Sequence, residues 1–253
     1  MKTDKPFLIV KNSDREGPGL LEDILVRKHI PYHVIELARQ QKIPSPAAYQ
    51  AMVVLGGPQS PDNGTFEMAN ERARIREAVS LGVPYLGIGL GMHTLVREMG
   101  GDVYGLAHNE AGWKNQQGEL YTVKLTRNGR RDPIFEEVVQ HFHAFQLRGE
   151  AVKLGPEMTL LGESETGLIQ AVRIGEGAYG FQFHIELTER MLMDWARNDP
   201  DLRRLGEISL MQGYNEYGIP MRADGEKILS NFVAISQQYQ KERRHHERVQ
   251  NHN

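Results

Sequence analysis

A glycine occupies the position in this sequence where an α/β enzyme would carry a nucleophile. The segment LGIGLGMHTL (residues 86–95) has the pattern of a short apolar strand, a sharp glycine turn and the start of a helix. Enzymes that use covalent catalysis place the attacking side chain on such a turn, where nearby backbone N–H groups can receive the developing oxyanion. The centre of this turn is Gly89, which has no side chain to attack with.

A histidine and a glutamate two residues apart could supply general-base chemistry. His184 and Glu186 lie in the segment GFQFHIELT (180–188), and side chains two positions apart on a strand leave from the same face. The carboxylate can therefore orient the imidazole, as a catalytic triad requires. Such a pair also occurs simply as a strand-end histidine satisfied by a neighbouring carboxylate, so the pair alone leaves both interpretations open.

A zinc centre is the other chemistry that the histidines could supply. His141 and His143 are spaced to share one strand face, and neutral imidazoles are good zinc ligands. The residues that could converge with them are His93, His184 and Glu186. These histidines lack a recognised ligand spacing such as His-Glu-x-x-His. We therefore expect neither a metal nor a cofactor.

Alternating strands and helices must position these residues. The first half has the pattern of a parallel sheet covered by helices, with strands predicted at 7–10, 33–37, 51–55 and 84–88 and helices at 18–29 and 67–81. The second half favours antiparallel additions, with strands predicted at 119–125, 159–163, 168–174 and 178–183. Helices return from Thr188, and the last is predicted over 224–240.

Length and composition favour one domain. The 253 residues, of which 40% are hydrophobic and 25% charged, can bury a full core and lie near the upper range of a single domain. We predict one domain over residues 1–241 and a polar tail over 242–253. The segment KERRHHERVQNHN is expected to fray from the last helix as a solvated terminus, and its adjacent histidines are not expected to be ligands.

Charge and cysteine content exclude several classes of protein. The formal net charge of −3 creates no global positive field for nucleic acid or an anionic membrane surface. No apolar run approaches the roughly 20 residues of a membrane span, and the start MKTDKPFLIVKN lacks the apolar core of a signal peptide. We therefore expect a cytoplasmic protein with a small-molecule ligand. The absence of cysteine removes disulfides, thiolate metal sites and any thiol nucleophile together.

Four sequence blocks, in a fixed order, carry a resemblance to a known family. The blocks are VLGGP (54–58), PYLGIGLGMH (84–93), HNEAGW (108–113) and GFQFHIELT (180–188). Over roughly residues 5–240 they resemble the class I glutamine amidotransferases, most closely the stand-alone proteins similar to the glutaminase half of GMP synthetase. The resemblance implies a flavodoxin-like α/β fold, in which helices flank a mainly parallel sheet with added antiparallel strands.

The resemblance also implies roles for individual residues. In that family the elbow reads Gly-Ile-Cys-x-Gly-x-Gln, and the cysteine attacks the γ-carbonyl of glutamine to form a γ-glutamyl thioester. Gly89 stands at the cysteine position, while His184 and Glu186 match the family's His-x-Glu pair of general base and orienter. The implied oxyanion and substrate contacts at the elbow are Gly56, Gly57 and Leu90.

Two departures from the family pattern bear on the substrate. His93 stands where the family has a glutamine that helps to hold the amino-acid end of the substrate, and histidine differs from it in shape and titration. In HFHAF (141–145), where close relatives tend to have His-x-Asp, His143 is a candidate substrate contact and Phe145 fills the aspartate position. Phe145 therefore predicts an apolar wall, and we expect hydrolysis of a γ-glutamyl amide with a bulky or aromatic leaving amine.

Three hypotheses remain for a glutaminase-like site without a thiol. In the first, a γ-glutamyl amide hydrolase has lost its cysteine, and this form traps substrate. In the second, the glycine is native and the chain is a pseudoenzyme that binds a γ-glutamyl ligand or serves as a regulatory subunit. In the third, His184 activates water without a covalent intermediate. An ammonia-supplying glutaminase is a further alternative; since the sequence has no nucleotide loop, its synthetase would be a separate subunit.

Overall fold

The computed structural model describes residues 5–250, with side chains through residue 242. The strands are β1 (Phe7–Lys11), β2 (Tyr32–Glu36), β3 (Ala51–Val54), β4 (Tyr85–Ile88), β5 (Asp102–Gly112), β6 (Thr122–Leu125), β7 (His141–His143), β8 (Gln146–Lys153), β9 (Met158–Glu163), β10 (Ile169–Ile174) and β11 (Ala178–Phe181). The α-helices are α1 (Leu20–Arg27), α2 (Phe66–Ser80), α3 (Leu90–Glu98), α4 (Glu189–Asn198), α5 (Pro200–Leu205), α6 (Glu207–Gly213) and α7 (Ile219–Gln250).

Most of these strands belong to one mixed sheet. Within residues 5–250 its nine strands follow the order β2-β1-β3-β4-β11-β10-β9-β6-β7. Neighbours from β2 to β11 pair in parallel, and neighbours from β11 to β7 pair antiparallel. Strands β5 and β8 form a separate antiparallel ribbon. The predicted α/β class, with parallel central strands and antiparallel additions, is confirmed.

Strand β1 shows why the parallel strands are continuously apolar. Phe7 and Ile9 pack with α1 and α7 on one face of the sheet, while Leu8 and Val10 pack with α2 and α3 on the other. The rings of Phe7 and Phe232 meet edge to face, with centroids 6.2 Å apart. Because helices cover both faces, such a strand gains from apolar side chains at every position.

The last helix differs most from its prediction. The predicted helix covered 224–240, whereas α7 runs over Ile219–Gln250, so the expected fraying after residue 240 is wrong. Residues 241–250, which extend the helix beyond its predicted end, are mostly charged or polar helix formers without glycine or proline, and nothing among them ends a helix. Residues 251–253 of the predicted tail lie outside the described residues. None of the helices in the described part has the length and apolarity to cross a membrane.

The β5–β8 ribbon was not predicted. The block HNEAGW (108–113) lies largely within β5, for which no strand had been predicted. Side chains on both faces of β5 are mostly exposed or half-buried, so the alternation of apolar and polar residues that signals a strand is weak there. The ribbon pairs Gly112 with Gln146 at one end and Asp102 with Lys153 at the other.

Strands β3, β4 and β11 bring the expected site segments to one edge of the sheet. Parallel neighbours end at the same edge, and ligands of α/β folds bind outside that edge. β4 ends and α3 begins on either side of Gly89, which confirms the strand, turn and helix predicted over 86–93. The amide N–H of Gly89 donates to the carbonyl of Phe181 at 2.8 Å, which ties the turn to the end of β11.

Candidate active site

The turn at Gly89 has the shape of an elbow and room for a side chain. Its backbone angles are φ 54° and ψ −113°, a combination that glycine adopts readily and other residues adopt only with strain. A Cβ built on Gly89 would lie 3.6 Å from Cα of Gly56 and 3.8 Å from Cε1 of His184. A side chain at this position would therefore project between the Gly56 loop and the imidazole.

His184 and Glu186 form a buried pair beside the elbow. Nδ1 of His184 lies 2.8 Å from Oε1 of Glu186, and the two residues are 2% and 0% exposed. Burial alone would lower the pKa of His184, but the charge and hydrogen bond of Glu186, with smaller effects of Glu16 and the Leu147 backbone, raise it above its usual value. The carboxylate thus orients the ring and favours its protonated form.

Aromatic side chains and one backbone bond hold the imidazole in place. The ring of Trp195 packs edge to face against His184, with centroids 4.9 Å apart, and the N–H of His184 donates to the carbonyl of Phe145 at 3.2 Å. The side chain of Phe145 is fully buried and packs against Trp113, with centroids 4.8 Å apart, and against Trp195. Phe145 therefore points into the core and does not line the cavity beside Gly89. The predicted apolar wall of Phe145 is absent from that cavity.

A cavity of about 390 Å³ opens at the elbow. The expected site residues that line it are Gly57, Gly89, Leu90 and His93. Its charged lining residues are Arg15, Glu16, Arg148, Glu150, Asp199 and Asp201. Because both signs of charge are present, the cavity is suited to a polar or zwitterionic ligand.

His93 belongs to a fixed hydrogen-bonded wall of this cavity. Its Nε2 lies 2.7 Å from Oε1 of Gln182, and its Nδ1 lies 3.4 Å from Oε2 of Glu150. The hydrogen bond from His93 holds the pKa of Glu150 below its usual value. Both ring nitrogens are thus engaged with neighbouring side chains, so a ligand meets His93 as part of a preformed group.

The structure does not bring His143 to the elbow. Its ring packs against Tyr217, with centroids 5.4 Å apart, and it is not among the residues that line the cavity. His141 lies at the surface, where its Nε2 is 2.8 Å from Oε1 of Glu165. Within the described part of the chain, no three His, Cys, Asp or Glu side chains are grouped so that they could hold a metal ion.

Most polar residues of the cavity were missed in the sequence, and Gln182, Glu16 and Glu150 show why. Gln182 precedes His184 by two positions, so the alternation that linked His184 to Glu186 could have indicated it. Glu16 follows the first parallel strand, and the rule that ligands bind at carboxyl ends of strands could have indicated its loop. Glu150 lies in the unpredicted ribbon strand β8, and no local signal marked it.

Known proteins similar to this chain share one family. A family model described as "Glutamine amidotransferase class-I" matches residues 20–194. The glutamine amidotransferase-like protein YfeJ of Salmonella typhimurium is 30% identical over 155 residues, which are 57% of this chain and 60% of that protein. A GMP synthase [glutamine-hydrolyzing] of Thermosipho africanus is 32% identical over 118 residues, 46% of this chain and 21% of that protein. The match thus spans less than two thirds of the length of these relatives.

Solved structures share the fold over nearly the whole chain. A glutamine amidotransferase from Methylobacillus flagellatus superposes with a TM-score of 0.81 at 24% identity, covering 91% of this chain and 95% of that one. A second, from Thermotoga maritima, gives a TM-score of 0.78 at 24% identity and covers 92% and 99% of the two chains. These similarities show that the fold is that of a glutamine amidotransferase.

The backbone at the elbow predicts a stability cost for any side chain at position 89. We expect Gly89→Ala to lower the free energy of unfolding by about 1–3 kcal/mol, because alanine is strained at this φ although space is available. Urea denaturation measures the change. Gly64→Ala is the matched control, since a Cβ there meets nothing within 4 Å and φ is not in the left-handed region. Equal effects of the two substitutions would contradict the assigned strain.

The buried pair predicts how His184 titrates. We expect Glu186→Gln to lower the pKa of His184, because the substitution removes the charge that offsets the effect of burial. Nitrogen-15 NMR of the imidazole reports this titration directly. Glu207→Gln removes a surface carboxylate that pairs with Arg197 and should leave the titration unchanged. If both variants titrate like the unmodified chain, Glu186 does not set the protonation of this ring.

Proposed function

The chain belongs to the class I glutamine amidotransferase family, and we propose that its elbow cavity binds a γ-glutamyl amide. The observation that carries the proposal is the position of Gly89, from which a side chain would lie 3.8 Å from Cε1 of the imidazole that Glu186 orients. In this proposal every part of a Cys-His-Glu triad except the attacking sulfur is retained.

The proposed roles follow from the position of each group. The scissile carbonyl carbon lies over Gly89, and the backbone N–H groups of Gly57 and Leu90 receive its oxygen. His184, oriented by Glu186, is the general base. Without a thiol no γ-glutamyl thioester can form, so the unmodified chain binds its ligand and hydrolyses it only through water that His184 activates. Binding without a thioester is expected both of a substrate-trapping form and of a native binding protein.

The cavity lining supports a polar leaving amine. Phe145, the basis for expecting a bulky or aromatic amine, is buried in the core. Arg148 and Glu150 line the cavity on the ribbon side, and Asp199 and Asp201 line it at the start of α5. Charged walls of both signs complement the ammonium and carboxylate of a free γ-glutamyl group, and they favour a small polar amine or ammonia over an aromatic one.

A glutaminase subunit is the second candidate function. It is supported by relatives named as glutamine-hydrolyzing GMP synthases. The match covers only about a fifth of the length of the one from Thermosipho africanus. In that case the ligand is glutamine itself, and the chain acts beside a separate synthetase-type subunit. With glycine at position 89, such a subunit would bind glutamine and regulate its partner, since it could not supply ammonia through a thioester.

Restoring the sulfur tests the proposed chemistry. We expect Gly89→Cys to hydrolyse L-glutamine or a substituted γ-glutamyl amide, with a rate above that of the unmodified chain by several orders of magnitude, since loss of a triad nucleophile costs about 10⁶-fold. Glutamate release is the measurement. Gly89→Ala carries the same backbone strain without sulfur and should stay inactive, as should Gly89→Cys combined with His184→Ala.

Two results would contradict this proposal. One is a Gly89→Cys variant that stays folded but is inert toward glutamine and toward γ-glutamyl amides of aliphatic, cationic and aromatic amines. The other is turnover by the unmodified chain at ordinary enzyme rates that His184→Ala leaves unchanged. Preference of the active variant for glutamine over every substituted amide would favour the glutaminase-subunit candidate.

Ligand binding by the unmodified chain is expected without turnover. A ligand that binds only the folded state raises its stability, by about 2.7 kcal/mol at a concentration of 100 times Kd. We therefore expect L-glutamine or γ-glutamyl ethylamide to raise the Tm of the unmodified chain while no glutamate appears. D-glutamine is the control, because a site that contacts the ammonium, the carboxylate and the γ-amide separately should distinguish the two enantiomers. Equal shifts with both enantiomers would indicate nonspecific binding.

A further inference from the structure

The loop between β1 and α1 is fastened to the candidate site at two points. Nε1 of Trp195, the residue that packs on His184, donates to the carbonyl of Arg15 at 2.9 Å. The N–H of Leu20 donates to the carbonyl of Glu186 at 3.0 Å. The loop residue between these anchors that lines the elbow cavity is Glu16. Its position is thus set by the same groups that hold the imidazole.

The carboxyl of Glu16 lies where the elbow, the imidazole and the Gly56 loop meet. A Cβ built on Gly56 would collide with Oε2 of Glu16 and would lie 3.3 Å from Cε1 of His184. Cα of Gly56 is in turn 3.6 Å from a Cβ built on Gly89. The Glu16 side chain therefore borders the space in which a carbonyl group bound at the elbow would lie.

Glu16 has a buried oxygen whose hydrogen-bonding capacity is unused. The residue is 9% exposed, and Oε2 has no hydrogen-bond partner among the described residues. A buried polar atom without a partner is costly, by about 1–3 kcal/mol. None of the roles proposed for His184 and Glu186 needs this carboxyl. A bound ligand is thus the natural partner for Oε2.

Electrostatics favour the neutral form of this carboxyl. Burial is the largest effect on the Glu16 carboxyl, and together with the charges of Glu186 and Asp199 it outweighs the opposing charges of His184 and Arg15, so that the pKa of Glu16 is raised to about 7. A neutral carboxyl can donate a hydrogen bond, whereas an ionised one can only accept. Beside the Gly56 loop an ionised carboxylate would repel a negative oxygen, and a neutral carboxyl would stabilise it.

We propose that Glu16, in its protonated form, contacts the ligand and donates a hydrogen bond to the amide oxygen of the γ-glutamyl amide at the elbow. The inference rests on the proposed function and adds a side-chain donor to the backbone donors of Gly57 and Leu90. Its second oxygen can accept an N–H of a primary γ-amide such as that of glutamine, so the carboxyl matches that group with both a donor and an acceptor.

Binding by the unmodified chain and three variants tests this assignment. The probes are L-glutamine and γ-glutamyl ethylamide, and calorimetry gives Kd at about pH 6 and about pH 8.5, on either side of the Glu16 titration. Glu16→Gln keeps a donor and an acceptor but cannot ionise, and Glu16→Met keeps the length without either. Glu71→Gln is the matched control, because Glu71 is a second buried glutamate with its pKa raised to about 7, and it bonds Thr94 outside the cavity.

The expected Kd values distinguish a Glu16 carboxyl that donates a hydrogen bond to the ligand from one that is only buried. The unmodified chain and Glu71→Gln should lose affinity by about tenfold or more between the two pH values, since the donor form is largely lost. Glu16→Gln should bind with similar affinity at both pH values. Glu16→Met should bind about tenfold more weakly than the unmodified chain at the lower pH, because one hydrogen bond to a buried group is lost.

Other results would overturn the assignment. The assignment is wrong if the affinity of Glu16→Gln depends on pH as fully as that of the unmodified chain. It is also wrong if Glu16→Met binds the probes at the lower pH as tightly as the unmodified chain does. If Gly89→Cys hydrolyses γ-glutamyl amides while substitutions at Glu16 change neither affinity nor its pH dependence, the assignment of Glu16 fails and the proposed function stands. If no form binds either probe and Gly89→Cys is inert, the proposed function fails and the role of Glu16 fails with it.

Discussion

The hydrogen bond between His184 and Glu186 is the constraint around which this edge of the sheet is organised. A carboxylate that is 0% exposed is tolerable only when it is paired, because burying an unpaired charge costs several kcal/mol. The surrounding contacts keep that pair in place: Trp195 packs on the imidazole, the Phe145 carbonyl accepts from its backbone, and Leu20 bonds the carbonyl of Glu186. The ring is thereby presented to the turn at Gly89.

The turn at Gly89 keeps its shape without any side chain at its centre. Its φ of 54° and ψ of −113° are set by β4, by α3 and by the bond from Gly89 to Phe181, none of which depends on a side chain at position 89. Glycine relieves the strain that a nucleophile would carry there. In the function proposed here, glycine at position 89 would forgo covalent chemistry and stabilise the fold, which is the usual trade-off at a strained functional position.

The sequence revealed the parts of the site that follow from strand order, and it concealed those that depend on packing across the sheet edge. Gly89 and His184 could be placed together because parallel strands end at one edge and each block marked the end of a strand. Phe145 was assigned to the ligand space from its place in a motif, but its side chain turns into a core formed by Trp113 and Trp195. Glu16 reaches the elbow from the loop after β1, about 70 residues earlier in the chain; strand order could have indicated that loop, but periodicity could not have selected the residue within it.

Covalent labelling of a restored thiol tests the central claim, that Gly89 occupies the nucleophile position of an otherwise complete site. The chain has no cysteine, so Gly89→Cys would carry a single thiol. Intact-mass spectrometry would follow its reaction with a glutamine analogue whose amide is replaced by an electrophilic diazoketone. We expect one adduct at position 89, blocked by excess L-glutamine and strongly slowed by His184→Ala. Labelling that neither L-glutamine nor His184→Ala affects, or no labelling of the folded variant, would contradict it.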